Sequence, residues 1–142
     1  MRKFGLRRTA NTEQAKAIRK LDIALSKLVR EHYQKLGCFT CGRMGEISEM
    51  DCGHFRRREL KATRFDLRNM GIQCRKCNRF EGGRPYEFAR KINEIWGMGT
   101  AEELFLLSSG VKQWHPITLG TLTDAAKKGW LVYLQTYKDL ES

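Results

Sequence analysis

The sequence has no long hydrophobic run: none of its apolar segments approaches the roughly 18 consecutive residues of a membrane-spanning helix. It has no internal repeat and no low-complexity segment either. The opening residues, MRKFGLRR, are basic and have no apolar segment behind them, so we expect no secretory signal. Together these absences predict a cytoplasmic protein with no membrane partner.

The chain has the composition of a folded protein and an uneven distribution of charge. It is 41% hydrophobic and 10% aromatic over 142 residues, which is typical of a globule and predicts one domain. Residues 1–80 contain 20 Lys/Arg and 8 Asp/Glu, whereas residues 81–142 contain 7 and 8. A positive charge confined to one half favours binding to a polyanion, of which nucleic acid is the commonest. The alternative is a solvated charged surface without a partner.

The first part of the chain predicts one long helix followed by an irregular segment. Residues 1–10 are expected to be a basic arm, and helical spacing of apolar residues predicts a helix over residues 11–36. Residues 37–83 are rich in Gly and Cys and predict turns and strands, with a hairpin strand and its return within residues 47–55.

The remainder, residues 84–142, is expected to be helical, so the predicted fold class is α+β. One helix is expected over about residues 85–96, because Pro85 suits a first helical turn. Thr100 and Glu103 have the spacing of a capping box for the next helix. A single last helix is expected after Pro116.

Five cysteines, an odd number, argue against a disulfide framework in a reducing cytoplasm. Four of them form two C-x-x-C pairs, Cys38/Cys41 and Cys74/Cys77, and each pair can occupy two corners of a tetrahedron. Four thiolates leave no open position on zinc, so we expect one structural Zn²⁺ per chain. Four free thiols and redox chemistry are the alternatives. Cys52 is left over and is expected to be a core residue.

A second group of candidate residues lies in and just after the segment between the pairs: Asp51, His54, Asn69, Asn78 and Glu81. Phosphodiester hydrolysis needs a base for water, a Lewis acid and charge neutralisation. A neutral His54 can accept the proton, and the oxygens of Asp51 and Asn78 suit catalytic Mg²⁺ or Mn²⁺. Each residue alone has an ordinary structural alternative.

Basic residues follow the candidate histidine closely. We expect them to bind phosphates of DNA. They are Arg56, Arg57, Arg58, Lys61, Arg64 and Arg68.

The order His54, Asn69, Asn78, in and just after the segment between two C-x-x-C pairs, resembles the HNH nucleases, which share the ββα-metal or His-Me finger fold. The resemblance implies a zinc-clamped ββα-metal core between the long first helix and the C-terminal helices. It also implies that His54 lies on a strand and activates water, that Asn69 braces the loop between the strands, and that Asn78 lies on the helix and binds the metal.

A closer resemblance is to the lambdoid-phage recombination endonuclease family called NinG or Rap. The segments that carry it are CFTCGR, DCGHFRRR, TRFDLRNMGIQCRKCNR and GGRPY, and weaker similarity extends it to roughly residues 15–140. Phage endonuclease VII, a Holliday-junction resolvase, has a similar layout, with an acidic residue where Glu81 stands here. The resemblance implies cleavage of Holliday junctions, D-loops or flaps. Symmetric cutting of a junction takes two active sites, so we expect a homodimer.

The chain departs from the HNH pattern at one position. Many HNH nucleases have Asp or His immediately before the base as a metal ligand, but Gly53 stands there. Asp51 would need a bulge or turn to reach the metal, and Glu81 is the other candidate carboxylate.

Three alternatives stay open. The first is an HNH nicking endonuclease that acts on ordinary duplex. The second is a zinc-ribbon DNA-binding accessory protein without activity, and the third is a structural or inhibitory protein that binds another nuclease. The set of His54, Asn69 and Asn78 argues against the zinc-ribbon protein, and the basic first half argues against the inhibitor.

Overall fold

The computed structural model describes residues 12–141, so the predicted basic arm at residues 1–10 lies outside the described residues. The described chain forms two compact units. One unit is residues 29–112, which include both cysteine pairs, and the other combines residues 12–28 with residues 113–141. The single-domain prediction stays a prediction.

Helices and one small antiparallel sheet make up the described chain, which fits the predicted α+β class. The elements, in chain order, are α1 (Glu13–Tyr33), β1 (Met50–His54), β2 (Met70–Cys74), a π-helical turn (Lys76–Phe80), α2 (Pro85–Trp96), α3 (Thr100–Leu107), α4 (Pro116–Lys128) and α5 (Trp130–Glu141). Within the described residues, none of these helices has both the length and the apolar character needed to cross a membrane.

Helix α1 was predicted over residues 11–36 and is observed over Glu13–Tyr33. The Thr12 hydroxyl accepts a hydrogen bond from the Ala15 amide at 3.1 Å, which satisfies a free donor of the first turn. The helix ends at Tyr33, not at residue 36, because the chain turns before Gly37. Gly37 has a φ of +80°, a backbone conformation that favours glycine.

The sheet corrects the predicted hairpin within residues 47–55. Strand β1 pairs not with a return inside that segment but with β2, across the long connection at residues 55–69. The register is regular, with Met50 opposite Cys74 and His54 opposite Met70. The two strands therefore place the end of β1 beside the start of β2, and the last residue of β2 is itself a cysteine of the second pair.

The core of the unit at residues 29–112 lies between the sheet and helix α2. The Phe39 ring packs edge-on against Tyr33, with a centroid distance of 4.8 Å, and 5.4 Å from the Phe88 ring of α2. Gly71 of β2 has no room for a Cβ, which would collide with the Phe39 ring. The first cysteine pair is thus held against the sheet by the residue that follows Cys38.

Two predictions about the C-terminal helices were wrong. Thr100 and Glu103 form no capping box: the Thr100 hydroxyl donates to the Gly97 carbonyl at 2.7 Å, and the Glu103 carboxylate pairs with Arg68 at 3.1 Å. The single last helix is two helices, α4 and α5, because Gly129 between them has a φ of +136°.

Candidate metal centre and catalytic site

The four paired cysteines form one cluster. Their sulfur atoms all lie within 4.8 Å of one another, and the Cys41 and Cys74 sulfurs are 3.7 Å apart. With Zn–S distances of about 2.3 Å, the sulfurs of a regular tetrahedron lie about 3.8 Å apart. Cys38, Cys74 and Cys77 are buried and Cys41 is exposed. The predicted cluster is therefore confirmed as a group that can bind a zinc ion.

The thiols of this cluster do not ionise independently. Burial works to raise the pKa of Cys38, but hydrogen bonds from Thr40 and from backbone amides outweigh it and lower that pKa to about 6. Burial and the neighbouring sulfurs raise the pKa of Cys41 to about 12. One thiolate among four sulfurs opposes a second negative charge. A dication in the centre removes that opposition, which is the chemistry that a zinc ion supplies to four thiolates.

Asp51 and Asn78 are brought together although 26 residues separate them in the chain. The Asn78 side-chain amide donates to the Asp51 carboxylate at 3.0 Å. Arg79 donates to both carboxylate oxygens of Asp51, each at 2.9 Å, and Arg75 lies 4.0 Å away. Burial works to raise the pKa of Asp51, but the bonds from Arg79 and Asn78 and the nearby positive charges lower it below its ordinary value. The site therefore holds a charged carboxylate beside an amide.

His54 is the last residue of β1 and is half-buried. Because side chains alternate along a strand, Asp51 and Gly53 lie on one face of β1 and His54 on the other. The one-to-one register contains no bulge that would carry Asp51 to the position of residue 53. Asp51 instead lies two residues earlier on the same face, roughly 7 Å along the strand. A Cβ on Gly53 would collide with the Gln73 side chain, which explains why this position has no ligand side chain.

Asn69 is fully buried at the end of the connection between the strands. Its side-chain oxygen accepts from the Arg56 amide at 2.8 Å, and its side-chain nitrogen donates to the Arg56 carbonyl at 3.0 Å. The Phe55 amide also donates to the Asn69 carbonyl at 2.8 Å. These bonds position the chain immediately after His54.

Glu81, the other candidate carboxylate, is exposed and pairs with cations. Its oxygens lie 3.6 Å from the Lys76 ammonium and 3.9 Å from the Arg84 guanidinium. The structure thus places Asp51, not Glu81, in hydrogen-bond contact with Asn78.

Arg56 and Arg68, two of the predicted DNA-binding residues, are half-buried and have partners within the fold. The Arg56 guanidinium stacks on the Phe105 ring at 4.4 Å, and its Nε donates to the Ser108 hydroxyl at 2.9 Å. Arg68 pairs with the buried Asp66 at 2.8 Å, and this hydrogen bond is the largest cause of its raised pKa. Both guanidiniums stabilise the connection at residues 55–69 whether or not they also bind DNA.

The other four predicted DNA-binding residues are nearer to solvent. Arg57, Arg58 and Lys61 are exposed, and Arg57 lies 3.7 Å from Glu59. Arg64 is half-buried, and its guanidinium donates to the Arg58 carbonyl at 3.0 Å. The exposed three are the part of this set that is open to a phosphate.

Sequence reasoning missed four polar residues that surround the site: Thr40, Gln73, Arg79 and Arg84. Each is adjacent or nearly adjacent in the chain to a predicted site residue, which is the only signal that the sequence offers. Their roles depend on contacts across the sheet and the π-helical turn, and such contacts leave no pattern in a single sequence.

Comparison with known proteins identifies the family. A profile of the family described as Bacteriophage Lambda NinG protein matches residues 2–140. Protein ninG of Salmonella phage P22 is 27% identical over 103 residues, which are 72% of this chain and 50% of that protein. Protein ninG of Escherichia phage 933W is 30% identical over 105 residues, 72% of this chain and 51% of that protein. The chain spans about half the length of these curated relatives, and no solved structure matches it. The chain belongs to the NinG family of phage proteins.

Proposed function

We propose that this chain is a metal-dependent endonuclease that hydrolyses phosphodiesters in branched DNA recombination intermediates such as Holliday junctions, D-loops and flaps. The observation that carries the proposal is the contact between Asp51 and Asn78 at 3.0 Å. Asp51 lies on β1, the strand that ends at His54. A carboxylate and an amide from distant parts of the chain meet directly after the last cysteine of the cluster, and the HNH resemblance implies that the amide is a metal ligand. Asp51 takes the part of the carboxylate although it lies three residues before His54 and not immediately before it. The branched substrate and the homodimer come from the resemblance alone.

His54 is the proposed base. It accepts a proton from the water whose oxygen attacks phosphorus, and the bond to the 3′ oxygen of the leaving strand breaks. Asn69 holds the nearby residue Arg56 through two hydrogen bonds and so keeps the loop after the base in place. Asp51 and Asn78 offer hard oxygen ligands to Mg²⁺ or Mn²⁺, which when bound would stabilise the negative charge that develops on phosphate.

The four cysteines are proposed to bind one structural Zn²⁺. Their sulfurs all lie within 4.8 Å of one another, and they come from the turn at residues 38–41, from β2 and from the π-helical turn. A zinc ion bound to them would fix the end of β2 to the turn that presents Asn78.

A second candidate function is DNA binding without cleavage. One contact favours it: Arg79 occupies both carboxylate oxygens of Asp51 at 2.9 Å, as in a purely structural ion pair. In that case the basic half and the zinc site remain, and His54 is dispensable.

The deciding experiment compares cleavage of labelled four-way junction, flap and linear duplex in Mg²⁺ and in Mn²⁺. His54→Ala is the test variant, and His115→Ala is its control, because His115 is exposed and precedes α4 in the other unit. Cutting of branched DNA that only His54→Ala abolishes, with binding retained, supports the proposal. Binding without cutting by the wild type supports the second candidate, and cutting of linear duplex at the same rate supports a nicking endonuclease.

A further inference from the structure

A chain of hydrogen bonds reaches the first cysteine pair from inside the sheet. The Gln73 side-chain nitrogen donates to the Thr40 hydroxyl oxygen at 3.1 Å, and that oxygen lies 3.4 Å from the Cys38 sulfur. A thiolate can only accept, so the Thr40 hydroxyl, which accepts from Gln73, donates its own proton to the ionised sulfur. Gln73 is fully buried. Its nitrogen also donates to the Gly83 carbonyl at 3.0 Å, and a carbonyl can only accept, so the orientation of the amide is determined.

Gly83 connects this chain of hydrogen bonds to the second cysteine pair. Its carbonyl accepts from Gln73 at 3.0 Å, and its amide donates to the Cys77 carbonyl at 2.9 Å.

We propose that Thr40 and Gln73 are positioning residues of the zinc site, which orient the Cys38 thiolate and raise the affinity of the four-cysteine cluster for Zn²⁺. The inference rests on the proposed zinc site and not on nuclease activity. Four thiolates exceed the charge of one Zn²⁺ by two, and donors to sulfur offset that excess. Partners of metal ligands act on affinity in this way, and their loss typically weakens binding roughly 10–100-fold.

The first test uses a matched pair at Thr40 in the zinc-loaded protein. Thr40→Val keeps the shape and removes the hydroxyl, whereas Thr40→Ser keeps the hydroxyl. Zinc affinity is measured by competition with a chelator. We expect Thr40→Val to bind zinc roughly 10-fold more weakly and Thr40→Ser to restore most of the loss. Equal affinities for the valine and serine variants would overturn the role of the hydroxyl.

A spectroscopic readout distinguishes an effect on sulfur from general destabilisation. With Co²⁺ in place of Zn²⁺, the thiolate-to-cobalt absorption reports hydrogen bonding to the sulfurs, and we expect it to shift in Thr40→Val. An unshifted band would contradict a direct role. A wild type that binds neither metal would overturn the zinc site itself, whereas a wild type that binds both with unaffected variants would overturn only these positioning roles.

Discussion

Asn69 holds the backbone of Arg56 at both of its hydrogen-bonding groups, with distances of 2.8 Å to the amide and 3.0 Å to the carbonyl. One buried side chain therefore closes the connection between β1 and β2 at the point where β1 ends. Since His54 is the last residue of β1, the position of the proposed base depends on this contact. An amide side chain is suited to it, because it offers a donor and an acceptor side by side.

Replacing Asn69 with Ala is expected to lower the free energy of unfolding by about 2–3 kcal/mol, because two backbone groups lose their partners. Asn69→Asp keeps the acceptor but places a second oxygen against the Arg56 carbonyl, so it should be no more stable than Asn69→Ala. Urea unfolding followed by circular dichroism measures both. If Asn69→Asp proved as stable as the wild type, the two-bond contact would not be the source of stability.

Asp51→Asn is expected to raise the Mg²⁺ concentration needed for half-maximal cleavage, because a charged oxygen ligand is lost.

Asp51→Asn also tests the pH dependence of stability. The pKa of Asp51 is lower in the folded chain, so its contribution is present above the unfolded value of about 3.9 and is lost as pH falls through the folded value. The stability difference between wild type and variant should therefore shrink below about pH 4. A difference that is constant from pH 7 to pH 3 would contradict the assignment.

Gly53→Ala is expected to destabilise the fold by about 1–3 kcal/mol, because the added Cβ collides with the Gln73 side chain. Gly53→Asp, which restores the usual HNH ligand, should suffer the same collision and gain no activity. Gly120→Ala is the control: it lies in α4 with open space around it and should gain about 0.5–1 kcal/mol. Thermal unfolding of the three variants measures these changes in stability. A Gly53→Ala variant as stable as the wild type would show that the Gln73 side chain moves aside for the added Cβ.

Arg57→Gln combined with Arg58→Gln should weaken binding to every DNA shape and reduce the salt slope by about 2, one for each phosphate that is no longer bound. Both residues are exposed, so the melting temperature should not change. Arg68→Gln should behave in the opposite way, with lower stability and a smaller effect on binding, because its partner Asp66 is only 6% exposed. Binding measured against salt concentration separates the two outcomes. If Arg68→Gln weakened DNA binding more than the double variant does, Arg68 would belong to the DNA-binding surface.

Cys77→Ser should lose its zinc and with it the stability that a bound ion contributes, about 4 kcal/mol when zinc stands at a thousand times its Kd. Cys52→Ser is the matched control, because Cys52 lies outside the four-sulfur cluster. Metal content by mass spectrometry, together with thermal unfolding, checks both. Retention of zinc and of the melting temperature in Cys77→Ser would show that the cluster does not bind a structural ion.

Local sequence determined much of this protein. Two C-x-x-C pairs predicted the cysteine cluster, because the ligand spacing of a zinc site is a property of short segments. Pro85 predicted the start of α2, whose observed bounds are Pro85–Trp96. Helical spacing of apolar residues predicted α1, because that spacing is a property of one continuous segment.

Tertiary structure decided what depends on residues far apart in the chain. The partner of β1 is β2 and not its immediate neighbour, because β1 finds its hydrogen bonds beyond the connection that Asn69 closes. Glu103 pairs with Arg68 instead of capping α3, since a charged partner across the fold is available to it. The contact of Asp51 with Asn78 and the bond from Gln73 to Thr40 have the same origin. Sequence spacing limits which residues can act, but only the packed chain determines which atoms meet.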